Sequence, residues 1–176
     1  VHFPKGFNWY DYYTGIIYKG GTSSFVKTSK EYIPTFIKAG SIIPMIKNLQ
    51  NTDNYSLDNL QLHYYPDLFK KTNRNFYNDN GLLANAFEKG EYEIIQVGVT
   101  DKKALKKITV ESKIGKKYDI KKRTIEIIIH HANKKPKKVI KNNKNISFEY
   151  NNITNSIHVF TDWVTSKKLK IKIKTI

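Results

Sequence analysis

VHFPKGFNWYDYYTGIIYKGGTSSFVKTSKEYIPTFIKAGSIIPM, residues 1–45, decides how this chain is read. Phe7 to Tyr13 is an aromatic run, and Gly15 marks a turn after it. Ile16 to Lys19 leads into Gly20-Gly21, a loop signal between extended segments. Ser24 to Thr28 and Ile33 to Ile37 follow, with Pro34 suited to a strand start or a sheet edge. Ile42-Ile43-Pro44 closes the stretch, and nothing in it has helical spacing. A unit of about fifty residues buries too little surface to stand as a β-sandwich by itself. The stretch therefore reads as one part of a larger, incomplete sheet.

Outward from there, Lys47 to Asp58 is polar and rich in asparagine, which makes it the linker. It divides the chain into residues 1–52, a proximal β region, and residues 53–176, a distal β-sandwich. In the second part Leu60, Leu62 and Tyr64 alternate with Gln61, His63 and Tyr65, the period-2 pattern of a strand with one buried face. Ile125, Ile127 and Ile129 alternate in the same way, as do Leu169, Ile171 and Ile173. Ile94 to Val99 makes another strand, and Ile146, Phe148 and Tyr150 are set to pair with Ile157 and Val159 across an Asn151–Asn155 turn. A turn near Leu82 to Phe87 is the single helix candidate. Short strands with regular turns predict an all-β chain of antiparallel β-sandwich type.

Composition narrows the function. Hydrophobic residues make up 39% and aromatics 13% of the 176 residues, enough for a core and too many for a disordered chain. No stretch approaches the roughly 20 apolar residues that cross a bilayer, so no membrane partner is expected. Without cysteine there is neither a disulfide frame nor a thiolate metal site. The net charge of +16 raises a polyanion partner, but Arg74 and Arg123 are the only arginines. Base and phosphate readers favour the arginine fork. The run Lys168 to Lys174 also alternates lysine with apolar residues, as a wet strand face does. Nucleic acid is therefore not the expected partner, and a lysine-rich polyanion surface is a minor alternative.

The first stretch resembles the segment that follows the catalytic barrel in glycoside hydrolase family 31, the α-glucosidase and α-xylosidase family. There the pattern runs V-Y-L-P-x-G-x-W-Y-D-x-W-T-G, then G-G, then I-P-x-F-V-R-A-G-S-I-I-P. Val1, Pro4, Gly6, Trp9, Tyr10, Asp11, Thr14 and Gly15 match its first part, Gly20 and Gly21 its middle, and Ile33, Pro34, Phe36 and Ala39 to Pro44 its end. Phe76-Tyr77-Asn78-Asp79-Asn80-Gly81 and Phe87 to Tyr92 resemble the family's next landmark, Y-E-D-D-G followed by Y-x-x-G-x-Y. Asn78, Asn80 and Phe87 depart from it, standing where two acids and a tyrosine are usual.

The resemblance implies a non-catalytic C-terminal β region of a retaining α-glycosidase that works through a glycosyl-aspartate intermediate and needs no cofactor. It implies a (β/α)8 catalytic barrel, in the same or a companion chain, as the partner, with carbohydrate reached through that parent enzyme. Strands of the proximal sandwich are then expected from sequence before Val1. Trp9, Tyr10, Tyr12 and Phe36 are the candidate barrel-packing or sugar-contact residues. On one strand Trp9 and Asp11 face one way and Tyr10 and Tyr12 the other, which divides a sugar platform. A carbohydrate-binding module is thus the alternative reading rather than the first.

No catalytic residue is assigned. Glycoside hydrolysis takes two flanking carboxylates, whereas Asp11 sits in a scaffold motif and Asp79 in a turn. His130 and His131 diverge as strand neighbours and His2, His63 and His158 are scattered, so no metal site is expected. Asn78-Asp79-Asn80-Gly81 lacks the spaced ligands of a calcium loop. Asn54-Tyr55-Ser56, Asn145-Ile146-Ser147 and Asn152-Ile153-Thr154 match the glycosylation sequon, at the rate an asparagine-rich chain produces by chance.

Overall fold

Period-2 alternation dominates the second half of the sequence, and strands are what it forms. The computed structural model describes residues 1–67, 70–102 and 104–175. In chain order the first strands are short: β1 (His2–Phe3), β2 (Trp9–Asp11), β3 (Ile17–Tyr18), β4 (Thr22–Ser23), β5 (Phe36–Lys38) and β6 (Ile42–Met45). A 3₁₀ turn at Thr52–Asn54 then leads to β7 (Asn59–Tyr64) and β8 (Lys71–Asp79). One helical turn, α1 (Ala86–Lys89), stops at Gly90, whose φ of 75° closes it in the left-handed region. After it come β9 (Tyr92–Lys102), β10 (Leu105–Ile114), β11 (Lys122–Ile129), β12 (Lys138–Lys141) and β13 (Lys144–Ile146). β14 (Glu149–Asn151), β15 (Ser156–Val164) and β16 (Leu169–Lys174) complete the set.

Among the described residues the strands pair into two large sheets and two small ones. The first large sheet has the order β13-β12-β16-β10-β9-β8 and is antiparallel throughout. The second has the order β14-β15-β11-β7-β6, antiparallel except where β7 runs parallel to β11. Their inner faces meet in a single core. Leu60, Leu62 and the isoleucines 125, 127, 129 and 157 come from one sheet, and Ile95, Val97, Val99, Ile108, Leu169, Ile171 and Ile173 from the other. Each such side chain contributes about 1.5–3 kcal/mol by leaving water, which is how a chain of modest apolar content holds a sandwich.

Charged groups close both ends of one inner row. On β9, Glu93 and Asp101 are in phase with Ile95, Val97 and Val99, and both are fully buried. Arg123 crosses from β11 to grip Glu93 with two nitrogens, at 2.9 and 2.6 Å, and Ser112 donates to the same carboxylate. Lys106 bonds Asp101 at 2.7 Å, and the Tyr64 hydroxyl donates to Asp101 from the opposite sheet. The carboxylates are tolerated because every one of these donors comes from packed structure.

Three features differ from the sequence expectation. β8 is a nine-residue strand, where the sequence read as loop before Phe76; it is an edge strand with mostly exposed residues, so no alternation marks it. Ile146 does not extend the strand of Tyr150: it pairs with Val139 in the first large sheet, while Tyr150 pairs with Ile157 in the second. The chain therefore changes sheets at Ser147-Phe148. Finally, β6 pairs with β7, and Ile42 joins the main core, so one sheet runs across the expected 52/53 division.

Candidate packing surface

The first 41 residues form the two small sheets, β1 with β4 and β3-β2-β5. β2 stops at Asp11 because its carboxylate turns the chain. Asp11 Oδ1 accepts the N–H groups of Tyr13 at 3.0 Å and Thr14 at 2.8 Å, and Gly15 donates to the Asp11 carbonyl. This is local Asx chemistry, and Asp11 is itself buried, so its role is to hold the turn. Tyr12 consequently leaves the strand, its exposed ring reaching Met45 on β6, in phase with the Ile43 that packs against Tyr10 and Tyr65. The register sets Asp11 opposite Phe36 and Trp9 opposite Tyr18 and Lys38, on one face; Tyr10 lies opposite Ile37 and Ile17 on the other. Gly20 is required by close approach, since a Cβ there would lie 2.0 Å from the Phe7 carbonyl oxygen.

Each face buries its own aromatic group. Phe3 stacks on Tyr18 with centroids 4.6 Å apart, and Phe36 meets Phe3 edge-on at 5.0 Å. On the other face Tyr10 packs with Ile37, Ala39 and Tyr65 in a second core. Its ring lies 5.6 Å from Tyr65 and 4.5 Å from His131, and its hydroxyl donates to the Pro66 carbonyl at 2.7 Å. Burial, with Asp67 and Asp101 adding, pushes the Tyr10 hydroxyl up to about 12. Tyr65 in turn stacks on His130 at 4.2 Å. This seam fastens the small sheet to the outer face of the five-stranded one.

Four of the five histidines come together, while His2 stays apart on β1 beside Ser23. β7 and β11 run parallel with His63 opposite Ile128, which brings His63 Nδ1 to 3.0 Å from His130 Nε2. His158 lies on the same face, bonded to Glu126 at 2.8 Å and to Ser156 at 2.7 Å, and Gln61 shares Glu126. Burial holds His130 down to about 4, with His63, His131 and His158 adding repulsion, and burial also lowers His63 and His131. A neutral imidazole pair is what this arrangement supports, one ring donating and the other accepting. The outward phase of two strands carried the signal, Gln61-His63-Tyr65 and Glu126-Ile128-His130, but their adjacency was not readable.

The remaining apolar residues of this region point outward. Among the described residues the first 33 positions of the 176 hold eight of the sixteen exposed large hydrophobics. Phe25 is fully exposed, Ile33 is 81% exposed, and Tyr12, Tyr13, Ile16 and Ile17 follow on the turn and on β3. Trp9 and Phe36 are half-buried, Tyr10 is buried, and Tyr12 is exposed with its hydroxyl 4.0 Å from Met45 Sδ. Tyr12 and Tyr13 meet edge-on at 86°, and Tyr13 lies 36° from Tyr32. No two of these contacting rings are coplanar.

The departures from the second motif have a structural setting. Asn78 is buried and in register with Glu93; it donates to Tyr118 at 2.7 Å and accepts from Tyr55. A carboxylate there would place a second acid against the one guanidinium of Arg123. Asp79 accepts from Tyr77 and from the N–H of Gly81, the turn role its neighbours predicted.

Residues 1–43 match the family model described as the glycosyl hydrolase family 31 C-terminal domain. The chain is 33% identical over 129 residues to an alpha-xylosidase of Saccharolobus solfataricus, covering 73% of this chain and 17% of that protein. It is 33% identical over 92 residues to alpha-glucosidase 2 of Bacillus thermoamyloliquefaciens, covering 52% and 11%. In fold it is similar to the Flavobacterium johnsoniae GH31 dextranase complexed with glucose, with a TM-score of 0.83 at 24% identity over 99% of this chain and 24% of the other. It is also similar to the Gracilariopsis lemaneiformis alpha-1,4-glucan lyase, with a TM-score of 0.78 at 15% identity over 99% and 20%. The chain thus spans less than a quarter of the length of each of these proteins.

Proposed function

The chain belongs to glycoside hydrolase family 31, as part of its C-terminal region, and from that premise we propose that it is a non-catalytic β region that packs on the catalytic barrel of a parent α-glycosidase. The parent would hydrolyse terminal α-glycosidic bonds, as its xylosidase and glucosidase relatives are named for doing. Residues 1–52 act as the proximal region and 53–176 as the distal sandwich, with β6 lent by the first to the sheet of the second. The observation that carries this reading is the outward apolar set of the first 33 residues. Exposed apolar residues concentrated in one short segment fit an interaction surface, and aromatic residues dominate interface energetics. Trp9, Tyr12 and Phe36 then lie at or under the contact, while Tyr10 supports it from behind through the Tyr65 seam.

A carbohydrate-binding module needs flat rings presented side by side. The edge-on Tyr12–Tyr13 pair is the wrong geometry for that, so the packing reading is preferred.

The test is a Tyr12→Ser, Phe25→Ser, Ile33→Ser variant in the full parent polypeptide and in this chain alone. In the chain alone the melting temperature should move little, because the three residues are exposed. In the parent, melting should fall by several degrees and activity at elevated temperature with it. A parent that melts unchanged would overturn the docking reading.

A further inference from the structure

The two outer faces of the sandwich differ in charge. Alternation along paired strands assigns each residue a face. On the outer face of the six-stranded sheet this gives eight lysines against two carboxylates, Asp79 and Glu111, among the described residues. The outer face of the five-stranded sheet has one lysine, Lys122, against three carboxylates, Glu126, Glu149 and Asp162. Burial against the small sheet accounts for the few lysines on the five-stranded face, part of which is covered by the Tyr10–Tyr65–His130 seam. The close ranking of the lysines on the open face calls for a separate cause.

Stability does not supply it. Lys107 is directly opposite Lys172, and Lys138 directly opposite Lys174. Like charges in cross-strand register destabilise a sheet. Along β16, Lys170, Lys172 and Lys174 stand on the same side roughly 7 Å apart, given ~3.4 Å of rise per residue. Beside this row the β12–β13 hairpin is docked on β16 through its turn: the Lys170 N–H donates to Asn142 Oδ1 and the Asn142 N–H to the Lys170 carbonyl, both at 2.9 Å. Asn142 and Asn143 hold the turn with φ of 44° and 74°. Together they shape a groove of about 500 Å³ lined by Ile140, Asn142, Asn143, Lys168, Lys170 and Lys172.

We propose that this face binds a linear acidic polysaccharide, its sulfate or carboxylate groups running along the β16 lysine row and one residue of the polymer entering the Asn142–Asn143 groove. The charge complementarity is direct, and a line of cations with a groove beside it suits a chain-like ligand. A bilayer surface would leave the groove unfilled. Nucleic acid is disfavoured by the lining itself, which has no arginine fork and no aromatic ring on which a base could stack. The asparagine amides instead offer the donors and acceptors that sugar hydroxyls use. This surface is distinct from the exposed apolar residues of the first 33 positions, and its reading stands without the barrel-docking one.

The experiment is a titration of the whole chain with heparin at two salt concentrations. Binding should weaken steeply with salt, since neutralising a polyanion releases its counterions. A Lys107→Gln, Lys170→Gln, Lys172→Gln variant should lose roughly tenfold or more in affinity, at a few-fold for each cation removed. A charge-matched control, Lys5→Gln, Lys47→Gln, Lys122→Gln, should lose less than about threefold. Thermal melts of both variants verify folding, and the first should melt no lower than the parent because it removes the Lys107–Lys172 repulsion. Equal losses in the two variants would mean non-specific attraction to net charge and would overturn the proposal, as would the absence of binding at low salt. Tighter binding to a single-stranded oligonucleotide of equal charge, or to phosphatidylserine vesicles, would overturn the choice of ligand.

Discussion

Replacing Arg123 with Met should be among the costliest single changes in this chain. Glu93 is 0% and Arg123 3% exposed, and the two guanidinium bonds to the carboxylate join opposite sheets of the sandwich. Removing one partner of such a pair leaves a buried charge uncompensated, at a cost of about 3–5 kcal/mol. Ser112 would remain as a donor to Glu93, which favours the lower end, about 3 kcal/mol. For a chain of this length each kcal/mol lowers the melting temperature by about 2–4 °C, so a fall of roughly 6–12 °C is expected. Replacing both partners, Glu93→Leu with Arg123→Met, removes the stranded charge and should return the chain to within about 1 kcal/mol of the original. Urea unfolding followed by circular dichroism and by Trp163 fluorescence measures all four corners of the cycle; the Trp163 ring lies 6.0 Å from the guanidinium. A single variant costing under about 1 kcal/mol, or a double variant whose loss equals the sum of the singles, would refute the reasoning.

Three further outcomes follow from the seam and its rim. The unfolded chain takes a proton on His130 near pH 6.5, whereas the folded chain resists it until about pH 4. Stability present at pH 7 should therefore fall as the pH drops through that window and be fully lost below it, by something on the order of 1–2 kcal/mol once solvent access is allowed for. A His130→Gln variant should lose less between pH 7 and pH 4.5 in urea titrations, and equal losses would remove His130 as the cause. Tyr10→Phe forfeits the buried bond to the Pro66 carbonyl and should cost about 1–2 kcal/mol. Tyr12→Ala in the isolated chain should cost under about 1 kcal/mol, since Tyr12 is exposed on a turn; thermal melts ranking Tyr12 above Tyr10 would contradict the division into seam and rim.

Sequence made the inner faces legible because burial imposes a period of two on residues that must all point one way. Ile125, Ile127 and Ile129, or Leu169, Ile171 and Ile173, could belong to nothing but a half-buried strand, and all are buried. The same phase even contains the ion pairs: Glu93 and Asp101 are in step with Ile95 to Val99, Arg123 with Ile125 and Lys106 with Ile108. A charge in the apolar phase at a strand end is a readable sign of a partner across the core. β8 shows where the method stops, because an edge strand with most residues exposed has no buried phase to report.

Adjacency is a different kind of information, and local pattern does not hold it. His63 and His130 are 67 residues apart and meet because β7 runs parallel to β11, a pairing that no turn between them encodes. Had β7 been antiparallel to β11, His63 would oppose other residues, and Tyr65 would not stack on His130. The same holds for the lysines of the large sheet. Alternation says that Lys107, Lys138, Lys172 and Lys174 face water; only the register says that they oppose one another, and so turns an unremarkable wet face into one that gives up stability. In both cases the individual residues read as ordinary, an isolated histidine and a solvated lysine, and the strand order gives them their chemistry.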